Sequence, residues 1–529
     1  MRVDLELRGG LVVDGTGRPG FTANVYISKN KIVAVQPPNG ANDCADFEPD
    51  EVVVCTGLCV CPGFIDIHTH SDFSVLGNAR MTSSLMQGVT TEVVGNCGVS
   101  VCVMKDLPVF AQEQRWIHKN GAELSWASVS EWYRRVEDQG FACNIATLVG
   151  HGTVRKTVLG TECRPPDTKE LLAMQQIIGD ALDQGAVGFS TGLEYLPGGY
   201  ADIAEQTALA SVMCGSNKFY STHIRNEGDT LVESVDEAIQ VARSAGVPLQ
   251  LSHHKCEGHR NWGKVTTTLA MMAAAREEGL DVLTDQYPYD AYMTGLTVIL
   301  LPKWANAGTQ ADIVNRLLTP SERALIRGEV LEKQLEWGAL EIGTTRNRRE
   351  VQGVTLADLA NHDGKDAIDA ALDLIVSEEG AVSAIYHAMC ETDIRAVLRD
   401  EHTMIGSDGV AQTPDGPMSE DHTHPRTYGT FPRVFARYVG SCNLLSFEEA
   451  VRKATSLPAR RIGLRDRGTI GTGMKADIAI VDAQSFGDTA TFSTPQSLPS
   501  GLHHVLVNGR FAVKNSKQTG ELAGAILRS

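Results

Sequence analysis

The run Gly63-Phe-Ile-Asp-Ile-His68-Thr-His70 ends a β-branched, apolar stretch on two histidines one residue apart. Alternate residues of a strand share a face, so both imidazoles leave on one side, with Asp66 behind them. Paired imidazoles on one strand face are half of a metal site. Three further strand-like segments stop at residues able to hold a metal: Thr91-Glu-Val-Val-Gly-Asn-Cys97, Phe219-Tyr-Ser-Thr-His223 and Val247-Pro-Leu-Gln-Leu-Ser-His253-His254. A fourth, Thr403-Met-Ile-Gly-Ser-Asp408, ends in a carboxylate. Alternation puts His253 and Lys255 on one face and His254 on the other, which makes His253 the preferred ligand and His254 the alternative.

Zinc suits imidazole nitrogen and thiolate sulfur, and a zinc-bound water becomes acidic enough near neutrality to attack a carbonyl. Each candidate has an ordinary explanation when taken singly. Cys97 reads as a small buried hydrophobe, His223 as a strand end bonded to backbone, and Asp408 as the cap of a following helix. Such residues at the ends of five strands point instead to a shared centre.

Positioning them requires a particular set of elements. Between residues 62 and 467, strand-like segments alternate with helical ones, the pattern of parallel βα units joined by right-handed crossovers. Eight strands are predicted to begin near Gly63, Thr90, Asn144, Ala186, Lys218, Val247, Leu280 and Thr403. Helices such as Leu231 to Ala245, with Val232, Val235, Ile239 and Ala242 at spacings of three and four, and Thr266 to Glu278 fit between them. The prediction is an α/β fold, a TIM-type (β/α)8 barrel, in which catalytic groups collect at the carboxyl ends of the strands.

The gap between the seventh and eighth strands exceeds what one helix needs, so an inserted lid subdomain is predicted near residues 295 to 350. It contains a charged helical stretch from Glu322 to Leu335, strand-like Leu340-Glu-Ile-Gly and basic Arg346-Asn-Arg-Arg, the last read as a solvated face. Residues 1 to 61 and 468 to 529 share a style of short strands and turns and are expected to build one small β-sandwich domain together.

The 529 residues are 42% hydrophobic and 21% charged, enough for one large domain with additions. A formal charge of -18 opposes binding to nucleic acid or an anionic membrane, because like charges repel at long range. No window approaches the roughly 20 apolar residues of a membrane helix, and Met1-Arg-Val-Asp-Leu-Glu-Leu lacks the layout of a signal peptide. Twelve cysteines follow no regular spacing. Cys55, Cys143 and Cys214 sit in apolar contexts and read as reduced thiols of a cytoplasmic protein, and Cys59-x-Cys61 reads as strand packing.

Longer motifs narrow the reading. Pro62-Gly-Phe-Ile-Asp-Ile-His-Thr-His70, Gly88-Val-Thr-Thr-Glu-Val-Val-Gly-Asn-Cys-Gly98, Gly150-His-Gly-Thr-Val-Arg155, Gly188-Phe-Ser-Thr-Gly-Leu-Glu-Tyr195, Ser252-His-His-Lys255, Ser407-Asp-Gly409, His424-Pro-Arg-Thr-Tyr-Gly-Thr-Phe-Pro-Arg433 and Ala476-Asp-Ile-Ala-Ile-Val481 span nearly the whole chain. Together they resemble the amidohydrolase superfamily, and more narrowly the N-acyl-D-amino-acid deacylases (D-aminoacylases). The resemblance implies a metal-dependent barrel that hydrolyses N-acyl-D-amino acids to a carboxylate and a free D-amino acid. It implies tight zinc on Cys97, His223 and His253, with His68, His70 and Asp408 around a second, weaker position. Asp408 would move the proton from water to the leaving amine. Arg426, Lys255 and Tyr287 would hold the substrate carboxylate, with Tyr289 the rival of Tyr287.

Cyclic-amide hydrolases of the hydantoinase and dihydroorotase kind are similar at His-x-His but use a carboxylated lysine after the fourth strand. Here Ala186-Val-Gly-Phe-Ser-Thr-Gly-Leu-Glu194 has none, which counts against that alternative and makes Cys97 look like the replacement bridging ligand. A non-catalytic scaffold on the same fold is opposed by the intact ligand positions. The stretch from Gly409 to Pro425 is long for the family and bears on pocket shape, with His422 in it read as a loop histidine. Preference for the D form comes from the resemblance alone; side-chain preference, acyl preference and oligomeric state stay open at this level.

Overall fold

A computed structural model describes residues 1–37, 47–100, 103 and 126–528. Its largest unit is one parallel eight-stranded sheet whose strands follow chain order. These are β1 (Phe64–Asp66), β2 (Val89–Val94), β3 (Asn144–Gly150), β4 (Gly188–Gly192), β5 (Phe219–His223), β6 (Leu249–Leu251), β7 (Val282–Gln286) and β8 (Thr403–Ile405). Every residue of these strands is buried, as expected for a parallel sheet covered on both sides. The first and last strands meet just beyond their ends. There Thr69 bridges Gly409, Asp408 N donates to His68 O at 2.8 Å, and His70 N donates to Gly409 O at 2.8 Å. The predicted TIM-type barrel thus closes through the residues singled out for chemistry.

The connecting helices follow from their sequence pattern. Helix α1 (Leu231–Ala245) buries Leu231, Val235, Ile239 and Ala242 against the barrel and stops at Gly246, whose φ of 68° suits a left-handed cap. The next helix, α2 (Lys264–Glu277), begins two residues earlier than predicted and buries Val265, Thr268, Met272 and Ala275.

Between β7 and β8 the chain leaves the barrel. It makes a three-stranded antiparallel sheet from Tyr292–Gly295, Leu340–Ile342 and Ser383–Tyr386, surrounded by helices including Pro320–Glu332, Leu356–Asp363 and Ala367–Ser377. Leu296, Ile313, Leu317, Ile326, Leu340, Leu359, Leu372 and Ala384 form a core of their own. The insertion therefore runs well beyond residue 350, because the helices Leu356–Asp363 and Ala367–Ser377 pack on this second core. The basic run lies at the surface, where Arg346 pairs with Glu379, Arg348 with Glu350 and Arg349 with Glu420.

The two ends of the chain combine in one nine-stranded sheet. Its seam is the antiparallel pairing of Cys59–Pro62 with Ile478–Val481. Cys59 and Cys61 are buried within that seam as free thiols, and Cys55 and Cys143 are buried as well. Cys214 is exposed instead, since it follows the short Ser211–Met213 turn at a helix end. Among the described residues, no helix is long and apolar enough to cross a membrane.

Candidate metal centre

The strand ends deliver their side chains through loops of unusual backbone. Cys97 lies three residues past β2 with a φ of 52°, between Gly95 (78°) and Gly98 (73°). His253 (32°) and Asp408 (52°) share this left-handed region, which costs a non-glycine residue about 1–3 kcal/mol and persists only where the surroundings impose it. Close backbone packing does so at Cys97. A Cβ on Gly98 would stand 2.6 Å from the Gly192 amide nitrogen, and one on Gly192 would collide with the Cys97 carbonyl.

These loops converge on one point. Cys97 Sγ lies 3.3 Å from His68 Nε2 and 3.4 Å from His253 Nε2, and His253 Nε2 lies 2.9 Å from His223 Nδ1. Asp408 Oδ1 is 3.0 Å from His70 Nε2 and 3.6 Å from His68 Nε2. Four overlapping donor sets result among the described residues: Cys97 with His223 and His253, His68 with His70 and Cys97, His68 with His253 and Asp408, and Glu194 with His223 and Glu227.

Behind the imidazoles stand carboxylates that the sequence reading did not assign. Glu194 Oε2 is 2.9 Å from His223 Nε2, Glu227 Oε1 is 3.0 Å from His253 Nδ1, and Asp285 Oδ1 is 3.2 Å from His68 Nδ1. A ring whose far nitrogen gives its proton to a carboxylate presents a lone pair on the near nitrogen. With their protons on those far nitrogens, His68, His223 and His253 would turn lone pairs toward one another and the Cys97 sulfur, an arrangement that a divalent cation fits. Their signals were faint in sequence: Glu194 follows β4 by two residues, Glu227 follows His223 by four, and Asp285 interrupts an apolar strand.

The electrostatics agree. Burial alone would push the Cys97 thiol up, but the imidazoles of His68 and His253 outweigh it and hold the thiol well below its ordinary value. Burial likewise opposes the Asp408 carboxylate, yet Arg426, His70 and His253 bring it well below the usual range. For His223, burial is outweighed by Glu227, Cys97 and Glu194, which raise it to about 10. His70 is raised to about 9, burial being overcome by Asp408 and Cys97.

The remaining candidates divide. Lys255 Nζ sits 2.6 Å from Glu227 Oε2, and Arg426 Nη1 sits 2.7 Å from Asp408 Oδ2. Tyr287 lies between these cations, its ring centroid 4.8 Å from Arg426 Cζ and 5.7 Å from Lys255 Nζ. Tyr289 instead packs on His424 and under Arg433. His254 turns away to Thr268 Oγ1 at 2.8 Å, and burial lowers it to about 4. Asp66, expected to share the face of His68 and His70, is engaged elsewhere, its Oδ1 accepting from the amides of Ser407 and His68. His422 reaches Glu341 Oε1 in the insertion at 2.6 Å, away from the centre. His424 is more useful: its Nδ1 accepts from the Arg426 amide at 2.9 Å and so fixes where that arginine starts.

Comparison with known proteins bears on this arrangement. The model of the family described as "Amidohydrolase family" matches residues 51–336 and 343–513. A protein of Alcaligenes xylosoxydans xylosoxydans named N-acyl-D-glutamate deacylase is 36% identical over 527 residues, covering 100% of this chain and 97% of that one. D-aminoacylase of the same organism is 32% identical over 524 residues, covering 99% and 97%. A crystal structure of N-acyl-D-glutamate deacylase from Bordetella bronchiseptica, complexed with zinc and a phosphonate mimic of the tetrahedral intermediate, matches with a TM-score of 0.83 at 32% identity and covers 100% of both chains.

Proposed function

The chain belongs to the amidohydrolase family, and from that membership we propose that it hydrolyses the amide bond of N-acyl-D-amino acids, releasing a carboxylate and a free D-amino acid. The observation that carries this reading is the meeting of Cys97, His68, His223 and His253 within reach of Asp408. Cys97, His223 and His253 would hold one zinc tightly, and His68, His70 and Asp408 would surround a second, weaker position. When bound there, zinc supplies an acidified water and a Lewis acid for the acyl carbonyl.

The chain's own groups do the rest. Asp408, kept anionic by Arg426 and its histidine neighbours, takes the proton of the attacking water and returns it to the amide nitrogen. The Arg426 Nε and the Tyr287 hydroxyl are buried without a directed hydrogen bond. Leaving such groups unsatisfied costs about 1–3 kcal/mol each, so a substrate carboxylate that accepts from them is favoured. Lys255 adds positive charge beside them. The insertion strand Tyr292–Gly295 adjoins the site, Thr294 Oγ1 standing 3.4 Å from Tyr195 Oη and the Met293 carbonyl accepting from Arg426 at 3.4 Å. The described cysteines are all free, in keeping with a reducing, cytoplasmic setting.

The test is amine release from a panel of N-acetyl-D- and N-acetyl-L-amino acids. Release confined to D substrates, stopped by a chelator and restored by zinc, is expected. Cleavage of hydantoins in preference to linear amides, or indifference to the chelator, would overturn the proposal.

A further inference from the structure

Glu227 touches both halves of the site. Its Oε1 lies 3.0 Å from His253 Nδ1, both its oxygens accept from Lys255 Nζ, Oε1 at 2.7 Å and Oε2 at 2.6 Å, and all three side chains are buried. Lys255 Nζ is also only 2.9 Å from the same His253 Nδ1. Two neighbours of opposite character therefore compete for one ring nitrogen.

That competition decides whether His253 can hold a metal. Its Nε2 faces Cys97 and His223, so ligation needs the tautomer with the proton on Nδ1. Glu227 is a pure acceptor and stabilises that tautomer. Lys255 is a pure donor and stabilises the opposite one, in which Nε2 carries the proton and points it at the centre. We propose that Glu227 is a positioning residue that selects the ligating tautomer of His253 through Oε1 while the same carboxylate holds the Lys255 ammonium toward the substrate carboxylate, so that one side chain sets both zinc affinity and substrate affinity. The inference rests on the zinc reading above.

Glu227→Gln exposes the coupling, because an amide has one acceptor and one donor end. Lys255 claims the amide oxygen, which turns the NH2 toward His253 Nδ1 and favours the non-ligating tautomer. Without Lys255 the amide oxygen is free to accept from His253 again.

The experiment measures zinc affinity of full-length protein by competition with a chromogenic chelator, alongside KM and kcat on an N-acetyl-D-amino acid. Glu227→Gln should weaken zinc about 10- to 100-fold, the usual effect of losing such a partner, and raise KM. Lys255→Met should raise KM while leaving zinc as tight as in the wild type or tighter. The double variant should recover a large part of the zinc affinity lost in Glu227→Gln. Wild-type zinc affinity in Glu227→Gln, or an equal loss with and without Lys255, would overturn the proposal. Should Glu227→Gln not fold, weakened zinc binding in Lys255→Met would overturn it by itself. Absence of zinc binding in the wild type would instead sink the functional reading.

Discussion

Asp408 is half-buried among cations, and its carboxylate is the group best placed to shuttle a proton. Asp408→Ala should lower kcat by about 10²–10⁴, the range for loss of a general acid–base, while zinc content stays near one per chain because the tight donors are intact. Cys97→Ala should do the reverse at the metal, and elemental analysis of purified protein would reveal the loss; full zinc in that variant would remove Cys97 from the donor set. Metal binding must also displace protons. With His223 raised to about 10 and His70 to about 9, both are cationic at neutral pH in the metal-free chain. Each must lose its proton to ligate, so zinc affinity should climb as pH rises toward 9, by up to about tenfold per unit for each proton released. A flat profile between pH 6 and 9 would show that the rings are already neutral. Most of the candidate donors were legible in sequence because each ends an apolar strand. Glu194, Glu227 and Asp285 were not, since a carboxylate's use as a backing partner depends on which imidazole folds against it.

Strands and loops place these side chains by backbone contact as much as by side-chain packing. Gly192 ends β4 directly beneath the Cys97 carbonyl, so Gly192→Ala must push the Cys97 loop away. We expect a stability loss of about 1–3 kcal/mol together with weaker zinc, read by denaturant titration and chelator competition. Gly328 offers the contrast: it lies inside Pro320–Glu332 with nothing near its Cβ direction, and Gly328→Ala should stabilise by about 0.4–1 kcal/mol with zinc unchanged. His253 reaches the centre and His254 turns away, through a loop with left-handed φ and not a continued strand. Strand alternation misplaced Asp66, because β1 ends there and the two histidines belong to the closure with β8.

At the scale of the molecule, residues 525–527 are tied to the barrel's amino-terminal side. Leu527 N donates to Ile145 O at 2.8 Å, Ile145 N donates to Ala525 O at 3.0 Å, and the Leu527 side chain packs with Ile65, Val187, Leu283 and Met404. Leu527→Ala should cost about 2 kcal/mol, the low end for a buried leucine, and lower the thermal midpoint without altering zinc affinity, because the contact lies opposite the catalytic mouth. The repeating alternation of strand and helix, the strand-end donors and the family motifs were all written in local sequence, since period and spacing alone encode them. Three things were settled only by tertiary packing: the reach of the insertion to Tyr386, the position of Tyr287 between Arg426 and Lys255, and the carboxylates behind the imidazoles. Each depends on contacts between residues far apart in the chain, and such contacts leave no periodic trace.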